Sequence, residues 1–315
     1  MPARRRRPSV ALAGRCVLIT GGSSGIGLAC AQRLVARGAD VMLVARGEDE
    51  LADARGQLGA ALTQAADVGD ATAIATAVAE AAARLGGLDA VVADAGAAVY
   101  GPFADAEPVD IERTVRTTLL GVLNTAHAAL PYLQRQRGTL VVVGSIAGHV
   151  PTPWLAAYSA CKHGVRGFAR SLHAELRAQG SPVQVALVSP GPVDTPFWLR
   201  ARTTDRRRPP RLAGAYRADD VARAIERALE RPRPERFVGG LMAAWAFADA
   251  VAPPVSLALT GAVAHLGWRR RPAHPASAQD GLHQPTGRAD VGGGLPTRPS
   301  LLAAARDRLL RGRRA

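Results

Sequence analysis

A tyrosine and a lysine four residues apart, Tyr158 and Lys162, are the pair in this sequence best suited to move a proton. On a helix they lie on one face, a turn apart. A phenol has an unperturbed pKa of about 10, and a cation within about 4–6 Å lowers it by favouring the phenolate. We expect Lys162 to lower the pKa of Tyr158, so that Tyr158 acts as a general acid or base near pH 7. The alternative is an exposed helix pair without chemistry.

Ser145 lies thirteen residues before Tyr158 and follows an apolar run, residues 140–143, that is typical of a buried strand. Its hydroxyl can hold a substrate oxygen next to the phenol. Lys162 is the only lysine in the chain, and an arginine would replace it poorly because a guanidinium is broader and planar. The sequence therefore predicts that Ser145, Tyr158 and Lys162 act on the same substrate.

These side chains must be positioned by apolar strands that alternate with helical segments between residues 16 and 240. The predicted strands are 16–20, 41–45, 62–67, 88–93, 139–144, 183–189 and 236–239, and the predicted helices are 25–37, 48–58, 70–85, 108–136, 154–179 and 218–230. Strands joined by crossover helices form parallel sheets. The sequence predicts an α/β fold, a doubly wound, Rossmann-like parallel sheet of seven strands with helices on both faces.

The first strand runs into a glycine-rich stretch, residues 20–27, that opens the first helix. Gly21 allows a tight turn, Gly25 lets the backbone approach a pyrophosphate, and Gly27 lets the helix pack against the strand. The helix N-terminus adds unpaired N–H groups and a positive dipole end. This stretch predicts a dinucleotide site, although an ordinary strand–helix turn is the alternative.

The second strand ends at Ala45 and Arg46, where an NAD-specific site would place an acidic residue on the ribose 2′-hydroxyl. Arg46 can pair instead with a 2′-phosphate. We therefore expect NADP(H) to be preferred, with NAD(H) still usable. In the alternative, Arg46 is solvated and Glu48 or Asp49 binds the ribose.

The charge of the chain is concentrated at its ends. Residues 1–15 carry five arginines and no acid, and residues 267–315 carry ten arginines and three aspartates, which leaves about +2 of the net +14 for residues 16–266. Such a body does not indicate nucleic-acid binding. The three cysteines and the scattered histidines lack metal-ligand spacing, so no metal is expected. The sequence shows no signal peptide pattern, and a cytoplasmic location is the default expectation.

Over residues 14–240 the chain resembles the short-chain dehydrogenase/reductase family, in the branch with a Tyr-x-x-x-Lys pair. The resemblance rests on residues 20–27, Asp67-Val68, Ala95-Gly96, Ser145, the Tyr158/Lys162 pair, and Pro190-Gly191 leading to Thr195. It implies an oxidoreductase that interconverts a ketone or aldehyde and an alcohol, and it implies a homo-oligomer that pairs through the helices near 108–136 and 154–179. The implied cofactor-binding residues are Gly21, Ser23, Ser24, Gly25, Ile26, Gly27, Arg46, Asp67, Val68, Ala93, Ala95, Gly96, Tyr158, Lys162, Pro190, Gly191, Val193 and Thr195.

Two positions depart from the family pattern. The Asn-Asn-Ala-Gly of the family is Ala93-Asp94-Ala95-Gly96 here, and Thr118 stands where an asparagine commonly supports a proton-relay water. Asn124 lies six residues further on and faces elsewhere. We expect a proton relay that is retained but slower, and a cofactor-binding sensor or scaffold without activity is the competing interpretation.

The remaining chain suggests a hydrophobic substrate. Phe197 and Trp198 follow the nicotinamide-binding turn and predict an apolar wall, whereas the arginines at 206–208 are read as a solvated run. Residues 241–267 predict two short apolar helices that close the active site or lie on a bilayer, as in a peripheral membrane lipid-ketone reductase of the 3-ketosphinganine reductase type. Residues 1–13 are predicted to be a basic tail and 268–315 a disordered one, with a short basic helix possible at 301–309.

Overall fold

Seven parallel strands form the central sheet in a computed structural model that describes residues 11–205, 214–269, 281–285 and 288–294. The strands are β1 (Cys16–Thr20), β2 (Asp40–Ala45), β3 (Leu62–Ala65), β4 (Ala90–Ala93), β5 (Thr139–Val143), β6 (Gln184–Pro190) and β7 (Glu235–Val238). They lie in the order β7-β6-β5-β4-β1-β2-β3, and each neighbouring pair is parallel. The predicted fold class is confirmed, and the strand bounds agree with the prediction to within two residues.

Helices connect these strands and cover both faces of the sheet. In the described part of the chain the α-helices are α1 (Gly25–Ala36), α2 (Glu48–Leu58), α3 (Ala71–Leu85), α4 (Pro108–Val115), α5 (Gly121–Gln136), α6 (Ala156–Ala178), α7 (Phe197–Arg200), α8 (Ala218–Glu230), α9 (Gly240–Val251) and α10 (Pro253–Arg269). Local signals set their ends. The Asp70 carboxylate caps α3 by accepting from the N–H groups of Thr72 and Ala73, and Gly86 ends it with a φ of 81°.

Side chains of each strand alternate between two apolar layers, because successive residues of a strand point to opposite faces. In β1, Val17 and Ile19 join the layer that includes α1 and α8, whereas Leu18 joins the layer that includes α3, α5 and α6. All three side chains are fully buried. The strand order reverses between β1 and β4, and ligands of such sheets bind at the carboxyl ends of the strands near this point.

The predicted helix at 108–136 is continuous in direction but irregular in its middle. A π-helical turn, Arg116–Leu120, separates α4 from α5. Single π turns inside helices are uncommon and frequently occur at functional sites. Thr118, the residue that departs from the family pattern, lies within this turn.

The C-terminal part differs from the sequence prediction in one respect. Residues 241–267 do form two helices, α9 and α10, as expected. However, residues 281–285 and 288–294, which were expected to be disordered, pack against the sheet domain, and Leu282 and Ala289 are buried there. Residues 1–10, the arginines at 206–208 and the possible helix at 301–309 lie outside the described residues.

Candidate active site

Ser145, Tyr158 and Lys162 come together at the carboxyl end of β5. Ser145 lies just after this strand, and Tyr158 and Lys162 lie one turn apart in the first half of α6. The Lys162 Nζ atom lies 5.7 Å from the centre of the Tyr158 ring and donates a 2.8 Å hydrogen bond to the Val143 carbonyl. Lys162 is only 4% exposed, so its charge is fixed close to the phenol.

The environment of Tyr158 does not give the expected lowering of its pKa. Burial raises the pKa of Tyr158 above its usual value, a hydrogen bond from Ser145 opposes this rise, and the negative charge of Asp94 adds to it. The expectation failed because it considered only the charge of Lys162 and not the cost of placing a phenolate in a poorly solvated site. Tyr158 therefore keeps its proton at pH 7 in this environment.

Asp94 is a charged residue of the site whose effect the sequence did not predict. Burial raises the pKa of its carboxyl group to about 7, and the nearby positive charge of Lys162 opposes this rise. Burial likewise lowers the pKa of Lys162 to about 8, whereas Asp94 acts to raise it. Asp94 and Lys162 thus form a coupled pair, and the departure Ala93-Asp94 places a carboxylate beside the lysine where the family has an amide.

Thr118 uses its hydroxyl for structure. The Thr118 Oγ1 atom donates to the Ala97 carbonyl at 2.7 Å and accepts from the Ala97 N–H at 2.9 Å. The residue is fully buried. This hydroxyl thus makes its two hydrogen bonds to the loop after β4. Asn124 is also occupied elsewhere, because its side chain donates to the Val68 carbonyl.

The glycine-rich stretch forms a bare backbone cradle that fits a dinucleotide pyrophosphate. Gly21 has a φ of 70°, and a Cβ atom there would lie 2.9 Å from the backbone of Ala95. A Cβ atom on Gly27 would clash with the Gly21 carbonyl. Side chains are thus excluded from the turn, so that no side chain of the turn itself covers the N-terminus of α1.

Arg46 and Asp67 lie at the edge of the sheet where the adenosine end of a dinucleotide is expected. Arg46 begins the loop after β2, while Glu48 and Asp49 are exposed in the first turn of α2. The Asp67 carboxylate accepts a 2.6 Å hydrogen bond from Arg113. Arg46 is therefore the charged side chain nearest the expected position of the 2′-phosphate, and Arg113 is a further cation that the sequence did not single out.

One cavity of about 1640 Å³ connects these groups with the catalytic ones. It brings together nearly all of the predicted cofactor residues, whereas Gly27 and Ala93 support it from behind. The residues predicted from the sequence as site residues that line this cavity are Gly21, Ser23, Ser24, Gly25, Ile26, Arg46, Asp67, Val68, Ala95, Gly96, Ser145, Tyr158, Lys162, Pro190, Gly191, Val193 and Thr195.

Arg200 and Glu50 are two further charged residues of the phosphate cradle. Arg200 donates a 3.0 Å hydrogen bond to the Ser24 hydroxyl and lies 3.9 Å from the Glu50 carboxylate. Glu50 is buried and accepts from the Ser23 hydroxyl at 3.3 Å. Arg200 balances this buried acid next to the site of the pyrophosphate. The sequence held one signal for a role of Arg200 at this site, which is its position five residues after Thr195, at the end of α7.

The other end of the cavity is apolar and rich in aromatic side chains. Tyr158 lies 5.5 Å from Phe197 between ring centres, and Phe197 lies edge-on to Trp198 at 5.2 Å. Trp154 stacks on Trp268 of α10 at 4.9 Å. We call this group the aromatic wall; with its apolar neighbours it comprises Ala98, Tyr100, Trp154, Leu155, Tyr158, Phe197, Trp198 and Trp268.

The aromatic wall is held in a strained arrangement. Trp154 has a φ of 63°, which is unusual for a bulky residue and costs free energy. Its carbonyl accepts from the Gly101 N–H at 2.9 Å, and its ring is covered by Trp268. Other residues of α10 line the cavity itself, namely Thr260, Val263, Ala264, Leu266 and Gly267.

Comparisons with known proteins agree with this geometry. A family model for short chain dehydrogenases matches residues 15–206. The chain is 35% identical over 170 residues to 2-dehydro-3-deoxy-L-rhamnonate dehydrogenase (NAD(+)) of Sphingomonas sp. (strain SKA58), covering 53% of this chain and 68% of that protein. It is 29% identical to the uncharacterized oxidoreductase YxnA of Bacillus subtilis (84% and 76% covered). It is 31% identical to hydroxysteroid 11-beta-dehydrogenase 1-like protein A of Xenopus laevis (71% and 77% covered).

Proposed function

This chain belongs to the short-chain dehydrogenase family and is an oxidoreductase that acts on CH–OH groups with NAD(P), and we propose that it prefers NADP(H) and acts on a hydrophobic ketone or alcohol. The observation that carries this proposal is the position of Tyr158, Ser145 and Lys162 between the two ends of one cavity. One end has the backbone cradle and Arg46, and the other end has the aromatic wall. The homo-oligomer expected through helices 108–136 and 154–179 stays a prediction.

Three side chains act together on the substrate oxygen. Tyr158 gives its proton to this oxygen when a carbonyl is reduced and takes it back when an alcohol is oxidised. Ser145 hydrogen-bonds to the same oxygen and to the phenol, and thereby keeps the two aligned. Lys162, whose Nζ atom lies 5.7 Å from the centre of the Tyr158 ring, stabilises negative charge on the phenol. The nicotinamide, when bound, supplies or accepts the hydride.

The preference for NADP(H) rests on Arg46. Its guanidinium lies at the end of β2, whereas Glu48 and Asp49, the alternative ribose ligands, are exposed and do not line the cavity. A guanidinium binds a phosphate through paired, charge-assisted hydrogen bonds. One relative is named for NAD(+), so family membership alone does not decide the cofactor.

The proposed substrate class rests on the aromatic wall. The residues of the aromatic wall carry no charge, whereas the charged residues Asp220, Arg223 and Arg227 also line the cavity. An acidic or phosphorylated substrate seated against the aromatic wall would lose its hydration without gaining an ion pair there. A bulky, uncharged carbonyl compound fits this surface. One relative is named as a hydroxysteroid dehydrogenase-like protein and another for a sugar acid, so the proposal is supported by the aromatic wall and not by the names of the relatives.

A substrate panel tests the proposal. Purified full-length protein is assayed with NADPH and NADH side by side on monocyclic and polycyclic ketones and on a sugar-derived keto acid. We expect turnover with NADPH on the polycyclic ketones and little on the keto acid. Turnover that favours NADH or the keto acid would contradict the proposal, and tight NADPH binding without any turnover would favour the sensor or scaffold interpretation.

A second candidate, a peripheral membrane lipid-ketone reductase, is favoured by the outer surface of α9 and α10. Eight of the twelve large hydrophobic side chains that are exposed in the described residues lie between 241 and 266. They are Leu241, Phe247, Val251, Val255, Leu257, Leu259, Val263 and Leu266, of which Leu241, Val263 and Leu266 also line the cavity. No helix in the described residues has the length and apolarity that a membrane crossing requires. A surface of this kind is suited to lying in a bilayer interface.

Vesicle sedimentation distinguishes this second candidate. We expect wild-type protein to sediment with vesicles of phosphatidylcholine and phosphatidylglycerol, and a Val255→Glu/Leu259→Glu variant to stay in the supernatant while keeping its activity on dissolved ketones. An Asp53→Asn variant, changed at an exposed position on α2, is the control. If wild-type protein does not sediment with these vesicles, the membrane candidate is excluded.

A further inference from the structure

The described C-terminal residues contact each part of the groove that the dinucleotide is expected to use. We call residues 281–285 and 288–294 the C-terminal clasp. They follow α10 in the chain, and Leu282 is 1% exposed, whereas the flanking His283 and Gln284 are exposed. The burial of Leu282 between exposed residues shows that its side chain occupies a pocket of the sheet domain.

At the adenosine end, the clasp supplies hydrogen-bond acceptors to the Arg46 guanidinium. The Arg46 guanidinium donates to the carbonyls of Gly281, Leu282 and His283 at 2.7, 3.0 and 3.3 Å. Arg113, which holds Asp67, also donates to the Leu282 carbonyl at 3.2 Å. Both terminal nitrogens of the guanidinium thus donate to the clasp, and these are the paired donors that a 2′-phosphate would use.

His283 anchors this part of the clasp to the sheet domain. Its Nε2 atom lies 2.6 Å from the carboxylate of Asp110, a residue of α4 that is 4% exposed. The Gly281 N–H donates to the Arg200 carbonyl at 3.0 Å. The clasp is therefore held by a buried acid and a backbone carbonyl that the expected cofactor site does not use.

At the pyrophosphate and nicotinamide ends, the second part of the clasp takes backbone positions. The Asp290 carbonyl accepts from the Gly25 N–H, the first amide of α1, at 2.8 Å. The Arg288 carbonyl accepts from Arg200 at 2.7 Å, and the Gly293 N–H donates to the Asp194 carboxylate at 2.9 Å. Gly293 also lies so close to the Thr195 carbonyl that a Cβ atom on it would clash.

We propose that the C-terminal clasp is an autoinhibitory segment that competes with NADP(H) for the dinucleotide groove. This inference rests on the proposed function, because it assigns the groove to that cofactor. The clasp covers the groove as a neutral peptide, and its carbonyls stand in for the phosphate oxygens at Arg46 and at the N-terminus of α1. The cofactor binds only after the clasp leaves, so the measured affinity equals the intrinsic affinity multiplied by the fraction of molecules with an open groove.

Both cofactors lose the same factor in affinity to the clasp, because both bind only to molecules with an open groove. Arg46 donates to three carbonyls of the clasp, and in the open groove the same guanidinium can pair with the 2′-phosphate that only NADPH carries. The preference for NADPH over NADH is therefore a property of the open groove, and the clasp lowers both affinities alike.

Full-length variants test the proposal by direct binding. Leu282→Asp places a charge in the buried pocket and should release the clasp, and Leu282→Met, which keeps an apolar side chain of similar volume, is the matched control. Gly293→Val releases the other half through the clash with Thr195. We expect dissociation constants for NADPH, measured by quenching of tryptophan fluorescence, to fall about tenfold or more in Leu282→Asp and Gly293→Val. The dissociation constant for NADH should fall by a similar factor, and Leu282→Met should resemble wild type.

Hydrogen exchange gives a second readout that does not depend on turnover. Addition of NADPH to wild-type protein should speed exchange at the Gly281 and Gly293 amides, because both lose their acceptors when the clasp leaves. Slower exchange, or weaker NADPH binding in Leu282→Asp, would show that the clasp covers the bound cofactor and would overturn the proposal. Equal binding in all variants would overturn it as well and leave the proposed function standing, whereas no binding in any variant would refute both.

Discussion

The two ends of the cavity are built by different means. The dinucleotide end is made of backbone and a few charged side chains, such as the turn at Gly21 and the cation Arg46, which lie within 26 residues of each other. The aromatic wall is made of side chains from distant segments, including Tyr100, Trp154 and Trp268. Chemistry that any dinucleotide needs is thus encoded locally, whereas the shape of the substrate chamber depends on how distant elements pack.

This difference explains what could be predicted. The sheet, its strand bounds and the Ser145–Tyr158–Lys162 group follow from local patterns, since apolar runs, glycine spacing and an i, i+4 pair are all visible along the chain. Phe197 and Trp198 could be assigned to an apolar wall because they directly follow a recognisable turn. Trp268 could not, because its contact with Trp154 spans more than a hundred residues and no local pattern links them.

Charge effects were also beyond the sequence. The raised pKa of Tyr158 and the coupling of Asp94 to Lys162 depend on burial, which only the packed structure gives. The contacts of the C-terminal clasp were missed for a related reason. A segment rich in Pro and Gly without periodicity predicts disorder, and nothing local indicates that Arg46 and Asp110 would bind it.

Of the changes that separate the two ends of the cavity, Arg46→Ala at the dinucleotide end should have the largest effect, and this effect is on the KM for NADPH. Loss of charge-assisted hydrogen bonds costs about 1.5–3 kcal/mol, which corresponds to a roughly 10- to 100-fold higher KM for NADPH. The KM for NADH should not rise. Steady-state kinetics with both cofactors measure the ratio, and Arg84→Ala, which removes an exposed arginine of α3, is the control. An equal loss for both cofactors would mean that Arg46 does not read the 2′-phosphate.

At the aromatic end, Trp268→Ala should raise the KM for a polycyclic ketone by about tenfold while the KM for a small ketone changes little, because the ring supports Tyr100 and Trp154 from behind and only the larger substrate reaches that part of the wall. The kcat should be nearly unchanged, since Trp268 does not touch the reacting oxygen. Phe247→Ala is the matched control, because Phe247 is on the same extension but 71% exposed. A uniform loss of activity on all ketones would contradict a role in substrate size.

The smallest expected effect is a pH shift in Asp94→Asn. The negative charge of Asp94 raises the pKa of Lys162, which burial lowers to about 8, so its removal should lower the lysine pKa further. The alkaline limb of kcat/KM that needs charged Lys162 should then move to lower pH. Below about pH 7 the two profiles should converge, because Asp94 itself, with a pKa of about 7, is protonated there. Asp53→Asn is the control, and a shift toward higher pH would contradict the coupling.

The central claim, that Tyr158 gives the proton to the substrate oxygen and takes it back, is tested most directly by Tyr158→Phe. This change removes only the hydroxyl and leaves the ring in the aromatic wall. NADPH consumption is measured on the best ketone of the panel, together with NADPH binding in the same preparation. We predict a loss of kcat of at least about 100-fold, in line with the usual contribution of general acid catalysis, with an NADPH dissociation constant within about threefold of wild type. Turnover close to that of wild type would contradict the account.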